Sequence, residues 1–480
     1  MAQGAEARER WPDSLVTLAI ETSCDDTCVA VLEKEREQKT GEEKTRRRRA
    51  RLLFEERITA DNRAFGGIHP LTATESHMAA LGPLIQQAKA HLPANRSGQQ
   101  RPDFVSVTRG PGMASSLATG LSVAKGLAVA WDVPLMGVHH MQAHALTPRL
   151  VSAIDDKEAP FASFPYLSLL VSGGHTLLLH SRGLADHRIL AAAANIAIGD
   201  LLDKSARAIL PRGYIAAAET AAGRSLPYGE LLEGFAGQSE SKSESETAQT
   251  RYSYPATRRD EMAPFESGRG WRLEAPLANG ILRRALRFDF SGLNGAVIRL
   301  AKGDGRGGED EPPKEPSGAG IPDEDRPVLA RGTMQLAFEH LASRLVLALE
   351  SGAVEGVAAT ANRRRAKVEA EAEAAAKTDQ GDPPSPPSCL VVAGGVASNR
   401  FLRQILRSAL DVRGFGYLPL VAPPPALCTD NAAMIAWAGM ELFEAGWRTD
   451  LRVLPRRRWA MDSTADDGGI LGMDGWLRED

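Results

Sequence analysis

Two histidines four residues apart, His140 and His144 in the stretch GVHHMQAH at 137–144, are the side chains best suited by type and spacing to do chemistry. On a helix, positions i and i+4 project from one face, so both imidazoles could reach one metal ion. A pair of surface or core histidines is the competing reading. No Glu follows His140, so the H-E-x-x-H pattern of metalloproteases is not written here. A third ligand has to come from a distance, and Asp430 in LCTDN (427–431) is the best candidate. It stands just before a helical pattern over 432–440, where an acidic residue also serves as a cap. Two His and one Asp with open coordination positions suit a borderline divalent ion such as zinc or iron.

Several turns carry polar or glycine-rich sequence. Residues 171–176 (VSGGHT) follow a strand pattern directly, and their backbone N–H groups can approach an anion where a Cβ would obstruct. A plain turn is the alternative. Residues 392–399 (VAGGVASN) repeat that layout, with Asn399 near a helix start as either cap or ligand contact. Residues 20–27 (IETSCDDT) form an acidic, hydroxyl-rich turn between two strands, suited to metal, water or phosphate. TRGPG at 108–112 either presents N–H groups or is simply a stiff turn. Asp203 falls on a helical pattern where Asp is a poor helix former, so it is a candidate for a ligand hydroxyl, against an exposed Asp203–Lys204 pair.

These groups need a scaffold, and 480 residues with 43% hydrophobic and 25% charged side chains can bury a sizeable core and make more than one domain. Strand-length apolar runs at 15–20, 28–32 and 52–58 predict a hairpin-rich opening. A β-α-β unit over 104–138 follows, then a helix from about His140, a second cycle from Tyr166, and a strand at 390–393 entering a glycine pair and a helix. The pattern predicts two similar α/β halves with a cleft between them. Charged, Ser/Glu-rich or Pro/Gly-rich stretches at about 33–51, 237–250, 302–326 and 362–388 read as disordered insertions, unable to bury enough apolar surface to offset their ordering entropy.

The net charge of −4 leaves no global basic field for a polyanion, so any nucleic-acid contact must be local. No stretch approaches the roughly 18 apolar residues of a membrane helix, which excludes a spanning protein. The four cysteines are too sparse for a disulfide framework and point to a reducing compartment. The N-terminus mixes Arg8 and Arg10 with Glu6, Glu9 and Asp13 and has no apolar core, unlike a signal peptide or a typical transit peptide.

Taken in order, IETSCDDT, TRGPGM, GVHHMQAH, LLVSGGHT, GDLLDKSAR, DFSGLN, AGGVASNR and CTDNAAMIA resemble the tRNA N6-adenosine threonylcarbamoyltransferase family, once labelled glycoproteases, over about residues 16–447. IETSCDDT and AKGLAVAW (124–131) resemble its fungal mitochondrial branch most. The resemblance implies a two-lobed fold of the actin, hexokinase and heat-shock ATPase type with the ligand between lobes. The expected N-terminal lobe is 15–155, completed by the helix 430–447; the C-terminal lobe is 160–429, and 456–480 is a tail. It implies transfer of threonylcarbamoyl from threonylcarbamoyl-AMP to N6 of the adenosine 3′ of the anticodon (position 37), in tRNAs reading codons that begin with adenine, with release of AMP. It also implies one divalent ion per subunit on His140, His144 and Asp430. Leu170, Val171, Ser172, Gly173, Gly174, Asp203 and Asn399 would hold the adenylate. Asp25 or Asp26 would accept the proton, by position in the motif. A homodimer and the mitochondrial matrix follow from the same branch.

The sequence departs from the family pattern in places. Leu210-Pro211-Arg212-Gly213-Tyr214 stands where a P-G-G-P-like turn contacts the sugar, leaving Glu219 as the match for the acidic contact that follows. Asn294 replaces a common Lys in DFSGLN, and the first-helix pattern is reduced to Pro70, Ala73 and His77. Three alternatives compete: an ATPase or phosphotransferase of the same fold, with no need for paired histidines; a metalloprotease, lacking its Glu; and a non-catalytic RNA-binding module, lacking an aromatic stacking platform.

Overall fold

The computed structural model describes residues 14–35, 49–62, 65, 67–94, 98–154, 162–223, 226–237, 252–303, 320–357 and 385–479. Most of each expected insertion lies outside the described residues. Their described margins extend regular elements: a strand continues to Glu35, another begins at Ala50, and a helix begins at Arg326.

The chain opens with β1 (Ser14–Glu21), β2 (Asp26–Glu35), β3 (Ala50–Thr59) and α1 (Pro70–Lys89). It continues through β4 (Phe104–Gly110), α2 (Ala114–Trp131), β5 (Leu135–His139) and α3 (His140–Ile154). Next come β6 (Tyr166–Val171), β7 (Thr176–Ser181), β8 (His187–Ala192), α4 (Ile198–Ile209), α5 (Arg212–Ala222) and α6 (Tyr228–Gly237). The short β9 (Phe265–Glu266) and β10 (Arg272–Leu273) precede α7 (Ser291–Lys302) and α8 (Arg326–Glu350). The last elements are β11 (Leu390–Ala393), α9 (Arg400–Val412), β12 (Leu420–Val421), α10 (Ala432–Glu444), β13 (Trp447–Thr449) and β14 (Trp476–Arg478). The architecture is mixed α/β with two principal sheets.

Two compact units divide the chain. Unit 1 is Met1–Phe164, Ser181–Arg188 and Val421–Asp480; unit 2 is Pro165–His180 and Ile189–Leu420. Residues 181–188 and 421–429 thus group with unit 1, although the sequence places them in the C-terminal half.

Unit 1 is built on a seven-stranded sheet in the order β14-β13-β5-β4-β1-β2-β3. β1 pairs antiparallel with β2 and parallel with β4, so the ends of β1 and β4 and the start of α3 emerge on one edge. On one face, α1 and α2 cover Val16, Leu18, Val29 and Val31. On the other, α3 and α10 pack against Ala19, Ala30 and Val138. Helix α10 is apolar on nearly every side and buried from Ala432 through Leu442, as a helix enclosed by its own domain must be. A Cβ on its Gly439 would stand 2.2 Å from Ser106 Oγ, so only glycine lets the helix approach β4. Trp437 is fully buried there, and its truncation to Ala would cost about 3–5 kcal/mol.

The stretch 456–480 is not a tail. Trp459 and Ile470 are buried, the indole N–H of Trp476 donates to Ile470 O at 2.9 Å, and β14 pairs with β13. The fully buried Arg109 fixes this segment by donating to Leu454 O at 3.2 Å and Asp474 O at 2.7 Å. Apolar spacing is weak in this stretch, so its anchoring by a distant arginine leaves no periodic trace.

Unit 2 carries the sheet β12-β11-β6-β7-β8. β11 runs parallel to β6 with Ala393 opposite Leu170, so the two strands end together and their following turns lie side by side. Helix α4 buries Ile198, Leu201, Leu202, Ser205 and Ile209 at helical spacing. No helix among the described residues is long and apolar enough to cross a membrane.

His187, in the unit 1 segment Ser181–Arg188, donates from Nε2 to Leu184 O at 3.0 Å while Nδ1 meets Ser181 Oγ at 2.9 Å. Burial pushes its pKa from 6.5 down to about 4. The unfolded chain therefore takes up this proton first as pH falls. The stabilisation is complete above about pH 6.5 and is lost progressively toward pH 4. Urea unfolding should show a contribution from this group about 2 kcal/mol smaller at pH 5 than at pH 7.5. In His187→Gln the pH dependence of stability over that window should flatten by a similar amount.

Candidate functional site

His140 is the first residue of α3 and His144 lies one turn on, so the helix presents both rings on one face with centroids 4.8 Å apart. Asp430 arrives from the turn before α10, 286 residues from His144. Its Oδ1 lies 3.1 Å from His144 Nε2 and 3.6 Å from His140 Nε2. One donor atom from each residue falls within 4.8 Å of the others. Metal bonds of about 2.0–2.2 Å place neighbouring donors roughly 3–3.5 Å apart; the two carboxylate–imidazole separations are close to this, so the three side chains can hold a divalent ion. His144 Nδ1 is buried without a hydrogen-bond partner among the described residues.

The capping alternative for Asp430 is resolved by its neighbour. Asn431 is the cap of α10, its side-chain oxygen accepting from Met434 N–H at 2.8 Å. That leaves the Asp430 carboxylate beside the histidines. His139, at the end of β5, turns away and donates to Trp459 O at 3.1 Å.

A fully buried carboxylate, Glu21 at the end of β1, organises the centre. It accepts from Ser23 N–H and Thr108 Oγ1–H and faces His140 Nδ1 at 3.2 Å. Nδ1 is thereby engaged and Nε2 is directed at Asp430, the arrangement that orients a metal-binding imidazole. Burial alone would raise the Glu21 carboxyl, but His140 outweighs it and holds the pKa below the usual value. Burial would lower His140, and Asp430 and Glu21 together push it up to about 9. Two carboxylates therefore make a strongly cation-favouring pocket.

The acidic turn 21–27 is pinned from several sides. His77 of α1 donates to Cys24 O at 3.0 Å and meets Thr27 Oγ1 at 2.8 Å. Thr22 Oγ1 donates to Ser116 O of α2 at 2.9 Å, and Met113 N–H donates to Ser23 O at 2.8 Å. A Cβ on Gly112 would lie 2.6 Å from Ser23 O, which explains the glycine of TRGPG as a close backbone approach. Asp25 accepts from Asn62 Nδ2 at 3.1 Å. Asp26 begins β2, accepts from Thr59 Oγ1–H and has Arg57 at 3.9 Å. Burial, with Asp430 adding to it, pushes the Asp26 carboxyl up to about 7 despite Thr59 and Arg57. Burial, with Asp25 and Asp430 adding to it, pushes the Cys24 thiol up, so it is no thiolate nucleophile.

In unit 2, Leu170 and Val171 are buried at the end of β6 while Gly173 and Gly174 are exposed, with open space where side chains would stand. Two further glycines press on this turn. A Cβ on Gly199 would lie 2.7 Å from the backbone of Gly173, and one on Gly394, at φ +97°, would lie 2.4 Å from Val171 O. The turn after β6, the start of α4 and the turn after β11 thus converge. Ser172 closes the turn, its Oγ accepting from His175 N–H at 3.1 Å. Asn399 caps α9, accepting from Leu402 N–H at 3.0 Å. Asp203 is one turn inside α4 and is not paired with Lys204, which binds Asp200 at 2.7 Å; burial raises the Asp203 carboxyl despite Arg207. Glu219 sits on α5, a helix with no buried residue, and accepts from Leu226 N–H at 3.2 Å.

Sequence reasoning missed Glu21, Ser23 and Thr108 as the support of His140. Their one sequence signal was an unbroken polar run at a strand end.

Comparison with known proteins agrees with the motifs. The family model for tRNA N6-adenosine threonylcarbamoyltransferase matches residues 52–437. The mitochondrial enzyme of that name from Schizosaccharomyces pombe is 31% identical over 472 residues, covering 97% of this chain and 89% of that protein. The enzyme of that name from Cereibacter sphaeroides is 32% identical over 453 residues, covering 94% and 95%. Among solved structures, YeaZ from Pseudomonas aeruginosa has a TM-score of 0.22 and 16% identity, covering 36% of this chain and 64% of its own. Full-length HypF has a TM-score of 0.36 and 10% identity, covering 91% and 47%.

If Glu21 sets the ring of His140, Glu21→Gln keeps the shape but loses the charge, and affinity for a divalent ion should fall about 10- to 100-fold. Competition with a chelator, read by elemental mass spectrometry, measures this; unchanged affinity would remove Glu21 from the centre.

Proposed function

The chain belongs to the tRNA N6-adenosine threonylcarbamoyltransferase family and is an acyltransferase that modifies tRNA; from that premise we propose which residues perform the transfer and on what donor. The donor is threonylcarbamoyl-AMP and the acceptor is N6 of the adenosine at position 37. The observation that carries the reading is the meeting of His140, His144 and Asp430 around one centre.

The donor is a mixed anhydride and already activated, whereas an exocyclic adenine amine is a weak nucleophile, so binding and orientation have most of the work to do. N6 attacks the carbamoyl carbon, the bond from that carbon to the phosphate oxygen breaks, AMP departs with the electron pair, and one N6 proton goes to a base. His140, His144 and Asp430 would hold zinc or iron, which supplies Lewis acidity and a template for phosphate oxygens. The N–H groups of Gly173 and Gly174 take the donor's anionic part, while that of Ser172 closes the turn on His175 O at 2.8 Å. Asp203, and with it Asn399 and Glu219, provide its remaining polar contacts. Of the two acids in the turn, Asp26 is better matched to accept the proton, because its carboxyl titrates near 7. The adenosine must be unstacked to react, as base-modifying chemistry requires. Mitochondrial residence and a homodimer are proposed from likeness to the S. pombe enzyme and its branch.

The decisive measurement is incubation with threonylcarbamoyl-AMP, a divalent ion and an anticodon stem-loop RNA, followed by nucleoside mass spectrometry. Modified adenosine is the expected product, and none under any metal overturns the reading. Single Ala replacements of His140, His144 and Asp430 should each lower bound metal and cut kcat at least 100-fold. Chelation of the wild type should do the same, reversed by adding metal back.

A further inference from the structure

Unit 2 contains a cavity of about 610 Å³ that none of the residues assigned above lines. This is within the roughly 300–1,000 Å³ typical of small-ligand sites. One wall is a single face of α7, where Leu293, Ala296 and Leu300 recur at helical spacing. The rest of the lining is the strand end and loop bearing Arg272, Pro276 and Leu277, together with Asp289 of the DFSGLN motif. Arg299 stands at the α7 wall and is exposed.

Along the segment that lines this cavity the charge is one-sided, although Arg269 is paired with Asp325 at 2.5 Å. The whole chain is net −4, yet from Arg269 to Lys302 it carries seven Arg and Lys against only Glu274 and Asp289. Those two acids are engaged by Arg272 at 3.1 Å and Arg287 at 3.3 Å. Arg283, Arg284, Arg299 and Lys302 have no ion pair among the described residues, and the last two are three apart on one helix face. The loop bearing Arg283 and Arg284 joins Leu277 to Asp289, two residues of the lining. It is held from beneath: Arg258 and the fully buried Arg344 donate to Arg283 O at 2.6 and 3.0 Å, and Arg344 also donates to Ala285 O at 2.8 Å. Asp289 is seated by Asn195 Nδ2 at 2.8 Å and by its own N–H on His340 Nε2 at 3.1 Å.

A surface charge run is ordinarily a solvated face of mixed sign. Here Arg299 lines a concave apolar wall, and further unpaired cations of the same sign lie on the chain that builds it, on an anchored backbone. Guanidinium groups match phosphate in fork geometry, and an apolar wall beside arginine suits an unstacked base. A free nucleotide would fill the cavity but leave Arg283, Arg284 and Lys302 without a partner, whereas a polynucleotide engages both. We propose that this cavity and its arginine-bearing loop form an RNA-docking subsite, in which Arg299 and Arg284 meet backbone phosphate and the α7 wall receives a base. The proposal rests on tRNA being the substrate and locates a surface for it.

The test is fluorescence anisotropy with an unmodified tRNA transcript across a salt series. In Arg284→Ala/Arg299→Ala, Kd should rise about tenfold and the log–log salt slope should flatten by about 1.5, the loss of two phosphate contacts. Arg299→Lys in the Arg284 wild-type background should keep the slope. Ala296→Trp, which fills the cavity without touching charge, should raise Kd at least about threefold with the slope unchanged. In steady-state transfer both Ala variants together should raise KM for tRNA and leave kcat at saturation. Thermal midpoint and metal content, measured alongside, should match the wild type. Unchanged tRNA affinity in the charge variant and in Ala296→Trp overturns the proposal, as does loss of free AMP binding without loss of tRNA binding. A wild type that binds tRNA with this salt dependence but transfers nothing sinks the assigned chemistry and leaves the subsite standing; transfer with variants that bind normally does the reverse.

Discussion

The pairing of a buried carboxylate with a metal-type histidine is the constraint on which unit 1 depends. Glu21 has no access to water, and an ionised carboxylate there would cost several kcal/mol without compensation. The compensation comes from a backbone N–H two residues on, a hydroxyl from β4 and the imidazole that opens α3. Three elements from separate parts of the sheet must therefore end at one point. The parallel pairing of β1 with β4 and of β4 with β5 brings those ends together, and α10, buried on nearly all sides, delivers Asp430 to the same place.

Unit 2 solves a different problem with different means. An anion is best met by backbone N–H groups that no Cβ shields, and this requires two turns to lie against each other without side chains between them. The register of β11 on β6 places Gly394 over Val171, and Gly199 closes on Gly173 from the start of α4. These glycines are therefore matters of contact distance, and only Gly394 also needs the left-handed φ. The open space over Gly173 and Gly174 is the consequence.

Some of this was legible in the chain and some was not, for physical reasons. Apolar runs of strand length and the i, i+4 histidines are local patterns, and the strands, the β-α-β unit and the metal-type triad followed from them. Asp430 was ambiguous because ligand and cap have the same side-chain chemistry; only the geometry of Asn431, which takes the cap, separates them. Glu21 was invisible as a site residue because nothing in IETSCDDT says which carboxylate is buried. The segment after 455 looked like a tail because its few aromatics show no period, yet Arg109, 365 positions before its partner Asp474, ties it into the fold. Capping by Asn399 likewise emerges only from its contact with Leu402.

Net charge was the least informative of the global quantities, and the reason is general. A sum over 480 residues averages acids that serve as metal and hydrogen-bond partners in the interior with cations left on the surface. Glu21, Glu261 and Glu441 are buried and each is engaged by a nearby cation or imidazole, so they contribute to the sum but little to the field outside. Arg284, Arg299 and Lys302 are exposed and contribute to both. A partner in solution meets only the second group, within a Debye length of about 8 Å at physiological salt. An acidic chain can therefore present a basic face, and the sign that matters for a polyanion is set by which charges the fold has already neutralised.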